Sequence, residues 1–126
     1  MKYKVLAMTA LMTLGAVGAA TAHHSKASYD LSRTVTVTGT LAEFLWTNPH
    51  AWVVVSVKDP RTGEEVQWRL EGDGPYGLAT QGWKRNSVKP GDQIVATVHP
   101  LRSGTPGGEF VRVTANGVAV GTAEGN

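Results

Sequence analysis

Four histidines, His23, His24, His50 and His99, are the residues of this chain best suited to chemistry. Imidazole offers a nitrogen lone pair near neutral pH, to a proton or to a metal ion. The chain has no cysteine. A thiolate metal site, a thiol nucleophile and a disulfide framework are therefore excluded. What remains is a nitrogen-rich ligand set, which suits Cu(II).

The position of His23 sharpens that reading. Lys2 and Lys4 precede an apolar run from Val5 to Ala20, and Ala20-Thr21-Ala22 places small residues where a signal peptide is cut. The 16 residues between Lys4 and Thr21 are short of the roughly 20 that a membrane-spanning helix needs. Residues 1–22 therefore read as a cleaved signal peptide, and the protein as periplasmic or secreted, with no stable membrane span after cleavage. Cutting after Ala22 makes His23 the N-terminus, so its α-amine and its ring can chelate one metal ion. Gly18-Ala19-Ala20 offers an earlier cut, which would leave Thr21 at the terminus and remove that chelate. His24, His50 and His99 are the further candidate ligands. Plainer roles stay open for each: a solvated tail for His23 and His24, a turn cap for His50, a strand end for His99.

A second constellation lies around His50. Trp46, Asn48 and Trp52 flank it in Trp46-Thr47-Asn48-Pro49-His50-Ala51-Trp52. Two indoles beside a polar turn could form a stacking surface for a glycan or a partner protein. Elsewhere the chemistry is thin. Glu71-Gly72-Asp73-Gly74 reads as a turn, because it lacks the rest of a calcium loop. No P-loop, dinucleotide fingerprint or nucleophile elbow is present.

Positioning these residues falls to strands. Thr34 to Leu41 alternates hydroxyl and apolar side chains, with Val35, Val37 and Leu41 on one face, and the strand continues toward Trp46. Gly39 interrupts the apolar face and predicts a bulge or bend. Ala51–Val57 is apolar almost throughout, Asp59-Pro60-Arg61-Thr62-Gly63 is a hairpin loop, and Glu65–Glu71 alternates with Val66, Trp68 and Leu70 inward. Pro75 opens a short helix over 75–82, capped by Asp73 or Gly74. Gln93–His99 and Glu109–Ala115 make the fourth and fifth strands, and Asn116-Gly117 is a tight turn into a short return strand at 118–120. Trp68 and Trp83 belong to the core.

Three strands, a helix and two more strands form the order of an OB-fold, a five-stranded Greek-key barrel. The expected fold is thus mostly β: a small OB-like barrel over 33–120 with one short helix between strands three and four. A signal peptide and an extended tail at 23–32 precede it, and a tail at 121–126 follows. In such a barrel the loops after strands one and four frame the ligand site, which would bring His50 and His99 together. His23 must then fold back along the barrel. Its ten-residue tail spans at most about 33–36 Å when extended.

Charge narrows the partners. The full chain holds 12 Lys+Arg against 10 Asp+Glu, and removal of Lys2 and Lys4 leaves 10 of each. The exported chain is formally neutral without a basic run, so it lacks the footprint of a nucleic-acid binder.

Ala22-His23-His24-Ser25, Tyr29-Asp30, Val37-Thr38-Gly39-Thr40, the Trp46–Trp52 run, Gly82-Trp83 and Lys89-Pro90-Gly91-Asp92 resemble a family of small exported bacterial proteins, domain-of-unknown-function family 6152. The resemblance spans nearly the whole chain after the signal. It implies export and a single small β-rich domain, and no activity. Where that family often has an aromatic after His-His-Ser, this chain has Lys26-Ala27, which lowers the expectation of an aromatic anchor in the tail. The leading expectation is a non-catalytic periplasmic copper-binding protein using His23 with His24, His50 and His99. The alternative is a β-barrel module for a cell-envelope glycan or partner protein, and a third reading is a copper oxidase.

Overall fold

The computed structural model describes residues 24–121; the expectations for the signal peptide, for His23 and for residues 122–126 lie outside the described residues. Eight elements follow one another: α1 (His24–Ala27), β1 (Val35–Leu45), β2 (Trp52–Lys58), β3 (Glu65–Glu71), α2 (Pro75–Thr80), β4 (Gln93–Pro100), β5 (Gly107–Ala115) and β6 (Val118–Ala119). The sheet order is β3-β2-β1-β4-β5-β6, and a further parallel pairing of β3 with β5 closes the first five strands into a barrel. The helix stands between β3 and β4. This is the expected OB-like architecture.

β1 serves two neighbours in turn. Val35–Thr40 pair with β4, and from Thr40 onward the strand pairs with β2. Gly39 sits just before that hand-over. A Cβ there would overlap the Ser56 carbonyl oxygen and press on the Val55 side chain. Its missing side chain therefore admits the β2 backbone. The expected bulge falls three residues later, at Ala42, where the register slips between Leu41 and Glu43.

Alternation dictates the core. Val37, Leu41, Val53, Val55, Leu70, Ile94, Ala96, Val98 and Val113 point inward and are buried. α2 is shorter than the predicted 75–82, and Gly74 is its N-cap without a side-chain cap bond. It closes one end of the barrel with Leu78, and Trp83 follows to pack between Phe44 and Phe110, at ring-centroid distances of 5.7 and 5.3 Å. Asn116 and Gly117 take φ of 50° and 80°, the left-handed pair that a tight hairpin turn demands.

The part of the predicted extended tail that is described departs from that expectation. His24–Ala27 form one helical turn, Tyr29 bridges to Leu101, and the Asp30 amide donates to the Pro100 carbonyl at 2.9 Å. The tail docks because Tyr29 has a buried place to go: it is 5% exposed.

Replacing Gly39 by Val should lower stability by about 1–3 kcal/mol, the usual cost of overpacking. The same residue at exposed Thr38 should change it by no more than about 0.5 kcal/mol. Urea unfolding midpoints of the two variants check the contrast.

Candidate functional site

The site forms where the β1–β2 turn meets the end of β3. The Ala51 amide donates to the Asp73 carbonyl (3.1 Å) and the Gly72 amide to the Ala51 carbonyl (2.9 Å). Thr47 Oγ1 donates to the His50 carbonyl at 2.8 Å, and the Asn48–Pro49 peptide is cis. Gly74 lets this turn settle on the start of α2, since a Cβ there would lie 2.5 Å from the Pro49 carbonyl oxygen. Pinned in this way, His50 Nδ1 lies 2.8 Å from Glu71 Oε1.

Glu71 is the one buried charged residue among the described residues, at 5% exposure. Leu70 before it points into the barrel, so the Glu71 side chain leaves by the outer face. The tail covers it there. The Tyr29 hydroxyl donates to Glu71 Oε2, so each carboxyl oxygen faces a partner of its own, Oε1 the His50 ring and Oε2 the phenol. Burial first, then the bond to Glu71, then the negative charges of Glu71 and Glu109 push the Tyr29 phenol well above its usual range. The backbone holds the tail in place, with the Arg102 amide donating to the Ser28 carbonyl at 2.9 Å. Asp30 turns the chain toward β1 by accepting from the Ser32 hydroxyl (2.5 Å), the Ser32 amide (3.1 Å) and Arg33 Nε (3.1 Å). Those bonds, the Ser32 hydroxyl foremost, hold its carboxyl below the ordinary carboxylate range.

This arrangement fixes a tautomer. In the neutral ring a carboxylate partner places the proton on Nδ1 and leaves the electron pair on Nε2. The His50 side chain is 37% exposed. A carboxylate on the far ring nitrogen is the arrangement found behind metal-binding histidines.

The other expected site residues disperse. His99 Nδ1 donates to the Arg33 carbonyl at 2.8 Å. It pairs with Glu109, which pairs with Glu71 on the next strand. His50 touches Glu71, and His99 stands two strand spacings, about 10 Å, from Glu71 across Glu109. His24 opens α1. Trp46 packs edge-on against Phe44 at 5.7 Å and 66°. Trp52 stands on the other face of its neighbouring strand, with the Arg69 guanidinium 5.0 Å over its ring. The two indoles make no common stacking surface. Asn48 is exposed in the turn. Among the described residues, no three His, Asp or Glu side chains gather as a metal site.

Sequence reasoning missed Glu71 and Tyr29. Glu71 sits at an outward position of an alternating strand and before Gly-Asp-Gly, so it reads as a solvated strand end. The one available signal was Tyr29, the single aromatic residue in the 23–32 tail apart from its histidines.

The family model described as a family of unknown function, DUF6152, matches residues 11–110. No curated protein matches the chain. Among solved structures, the fold is similar to the mitochondrial single-stranded DNA binding protein Rim1 of S. cerevisiae. That match has 8% identity and a TM-score of 0.50, and covers 66% of this chain and 92% of that one.

Tyr29→Phe should cost about 1–3 kcal/mol at neutral pH, because one oxygen of the buried carboxyl group loses its donor. The phenol of Tyr29 is raised in the folded state, so its contribution is complete below about pH 10, the unfolded value, and fades as pH climbs above it. The stability gap between wild type and Tyr29→Phe should therefore narrow above pH 10. Denaturant unfolding from pH 7 to 11 measures it.

Proposed function

The chain belongs to DUF6152, a family of unknown function, and we propose that it is an exported, non-catalytic copper-binding protein whose metal centre is completed by its own N-terminus. His23 would supply the α-amine and a ring nitrogen, and His50 Nε2 a third nitrogen. Such a nitrogen set suits Cu(II). The observation that carries the reading is the His50 Nδ1–Glu71 contact at 2.8 Å, made to a buried carboxyl group. It orients the ring, fixes the tautomer and leaves Nε2 as the donor.

The docked tail supports the same reading. Tyr29 is bonded to the carboxyl group that holds His50, and His23 lies six residues upstream. Six residues cover about 9 Å as helix and about 20 Å when extended. The reach that looked demanding for a ten-residue free tail is therefore short, since the chain is already tied down beside His50. The glycan-binding alternative would rest on Trp46, packed edge-on against Phe44, and Trp52, under the Arg69 guanidinium.

The test is Cu(II) titration with electron paramagnetic resonance on protein that starts at His23, beside protein with one extra residue in front. Tight one-to-one binding with nitrogen hyperfine structure is expected, and the extra residue should abolish it. His50→Ala should weaken binding at least tenfold, Glu71→Gln about 10–100-fold through the orienting bond, and His99→Ala not at all. Affinity indifferent to both the added residue and His50→Ala would overturn the proposal.

A further inference from the structure

Asn116-Gly117 is the one Asn-Gly step of the chain, and it carries chemistry that its place in a turn does not use. The nitrogen after an asparagine can attack the side-chain carbonyl carbon. The carboxamide C–N bond breaks, ammonia leaves, and a five-membered imide remains. Water then opens the imide to aspartate or isoaspartate. The other asparagines among the described residues are worse placed in sequence. The Pro49 nitrogen after Asn48 has no hydrogen to lose, and Ser87 after Asn86 carries a Cβ beside its nitrogen. A Cβ at Gly117 would meet nothing within 4 Å, so that side of the turn is open to water.

The carboxamide is held at both ends. The Gln93 amide donates to Asn116 Oδ1 at 2.9 Å, and Asn116 Nδ2 donates to Asp92 Oδ1 at 3.1 Å. Asp92 is itself fixed, since its Oδ2 accepts from the Lys89 amide at 2.9 Å. That bond first, then the one from Asn116, holds the Asp92 carboxyl below the ordinary carboxylate range, so at neutral pH it is an anion that only accepts. The attack puts negative charge on Oδ1 and expels Nδ2. The Gln93 amide eases the charge on Oδ1. Asp92 works against the reaction, because it holds Nδ2 and sets a negative charge beside the forming anion. We propose that Asn116 is a spontaneous deamidation site, that Asp92 is its brake, and that its product unfastens the last hairpin. In the product a carboxylate stands where Nδ2 donated, so two carboxylates face each other across the former bond. Val120 beyond the turn packs on the core, and Gly121 lies against Trp83, so a loosened turn loosens that end of the barrel. The proposal does not depend on copper.

The test follows residue 116 by peptide mass spectrometry in the chain from His23, incubated at pH 8 either folded or unfolded in urea, beside Asp92→Ala. The folded chain should convert at least fivefold more slowly than the unfolded one. Asp92→Ala should speed conversion in the folded chain at least fivefold and leave Asn86, an internal gauge of general unfolding, unchanged. A thermal melt reads the product without relying on that variant. Asn116→Asp should melt below wild type, and adding Asp92→Asn, which sets a donor opposite the new carboxylate, should recover most of the loss. Equal conversion of folded and unfolded chain would overturn the proposal. So would an Asp92→Ala rate no faster than wild type, a rise shared equally by Asn86, or an Asn116→Asp melt that matches wild type or is not rescued by Asp92→Asn.

Discussion

Closure of the barrel through three parallel pairs, Arg69–Gly107, Leu70–Gly108 and Glu71–Glu109, is the constraint on which the rest of this structure depends. Parallel neighbours need a crossover, and α2 with the following loop and β4 supplies it. The fit is tight at both glycines. A Cβ at Gly108 would overlap the His99 carbonyl and the Val98 side chain, and one at Gly107 would lie 3.0 Å from the Arg69 carbonyl. Gly107-Gly108 therefore lets β5 enter between β3 and β4, its partners on either side. One row across the sheet then carries Trp52, Glu71, Glu109 and His99. Every polar group of interest is placed by that row or by a turn attached to it.

The row creates a problem that the tail solves. Glu71 ends on the outer face of the barrel, yet it is buried. A buried carboxyl group without partners would cost several kcal/mol. His50 from one turn and Tyr29 from the tail each satisfy one oxygen. The tail is ordered for the same reason, since its phenol is both the lid over Glu71 and the donor to it. Backbone bonds from Asp30 to Pro100 and from Arg102 to Ser28 spread the cost of ordering over the β4–β5 loop.

Much of the fold was legible in the residues. Period-2 alternation located the strands to within a residue or two, Pro75 marked the helix, and Asn116-Gly117 marked the last turn. Those signals are local and act through backbone preference. Gly39 was legible as special but not as to why, because the close approach is made by β2, a segment some 15 residues away in sequence. The site was half legible. His50 stood out by residue type and by its Asn-Pro setting. Glu71 and Tyr29 did not, because their partnership spans 42 positions and is created by barrel closure. Trp46 misled for a related reason: beside Trp52 in the sequence pattern, it lies on the opposite face once the strands pair, and is claimed by Phe44.

What the assembled geometry can do follows from the proton on His50. With Nδ1 committed to Glu71, the ring has one function left, donation from Nε2. A lone imidazole donor binds a metal weakly; selectivity and strength come from a second and third nitrogen held at the right place. The row of strands does not supply them, since His99 lies beyond Glu109. The tail reaches the same carboxyl group through Tyr29, and under the proposed function it carries upstream of Tyr29 a pair of histidines that signal cleavage would leave at the terminus. Under the proposed copper-binding function, the Tyr29–Glu71 bond would join two requirements that are separate in the sequence, the orientation of His50 and the delivery of an N-terminal chelate to it.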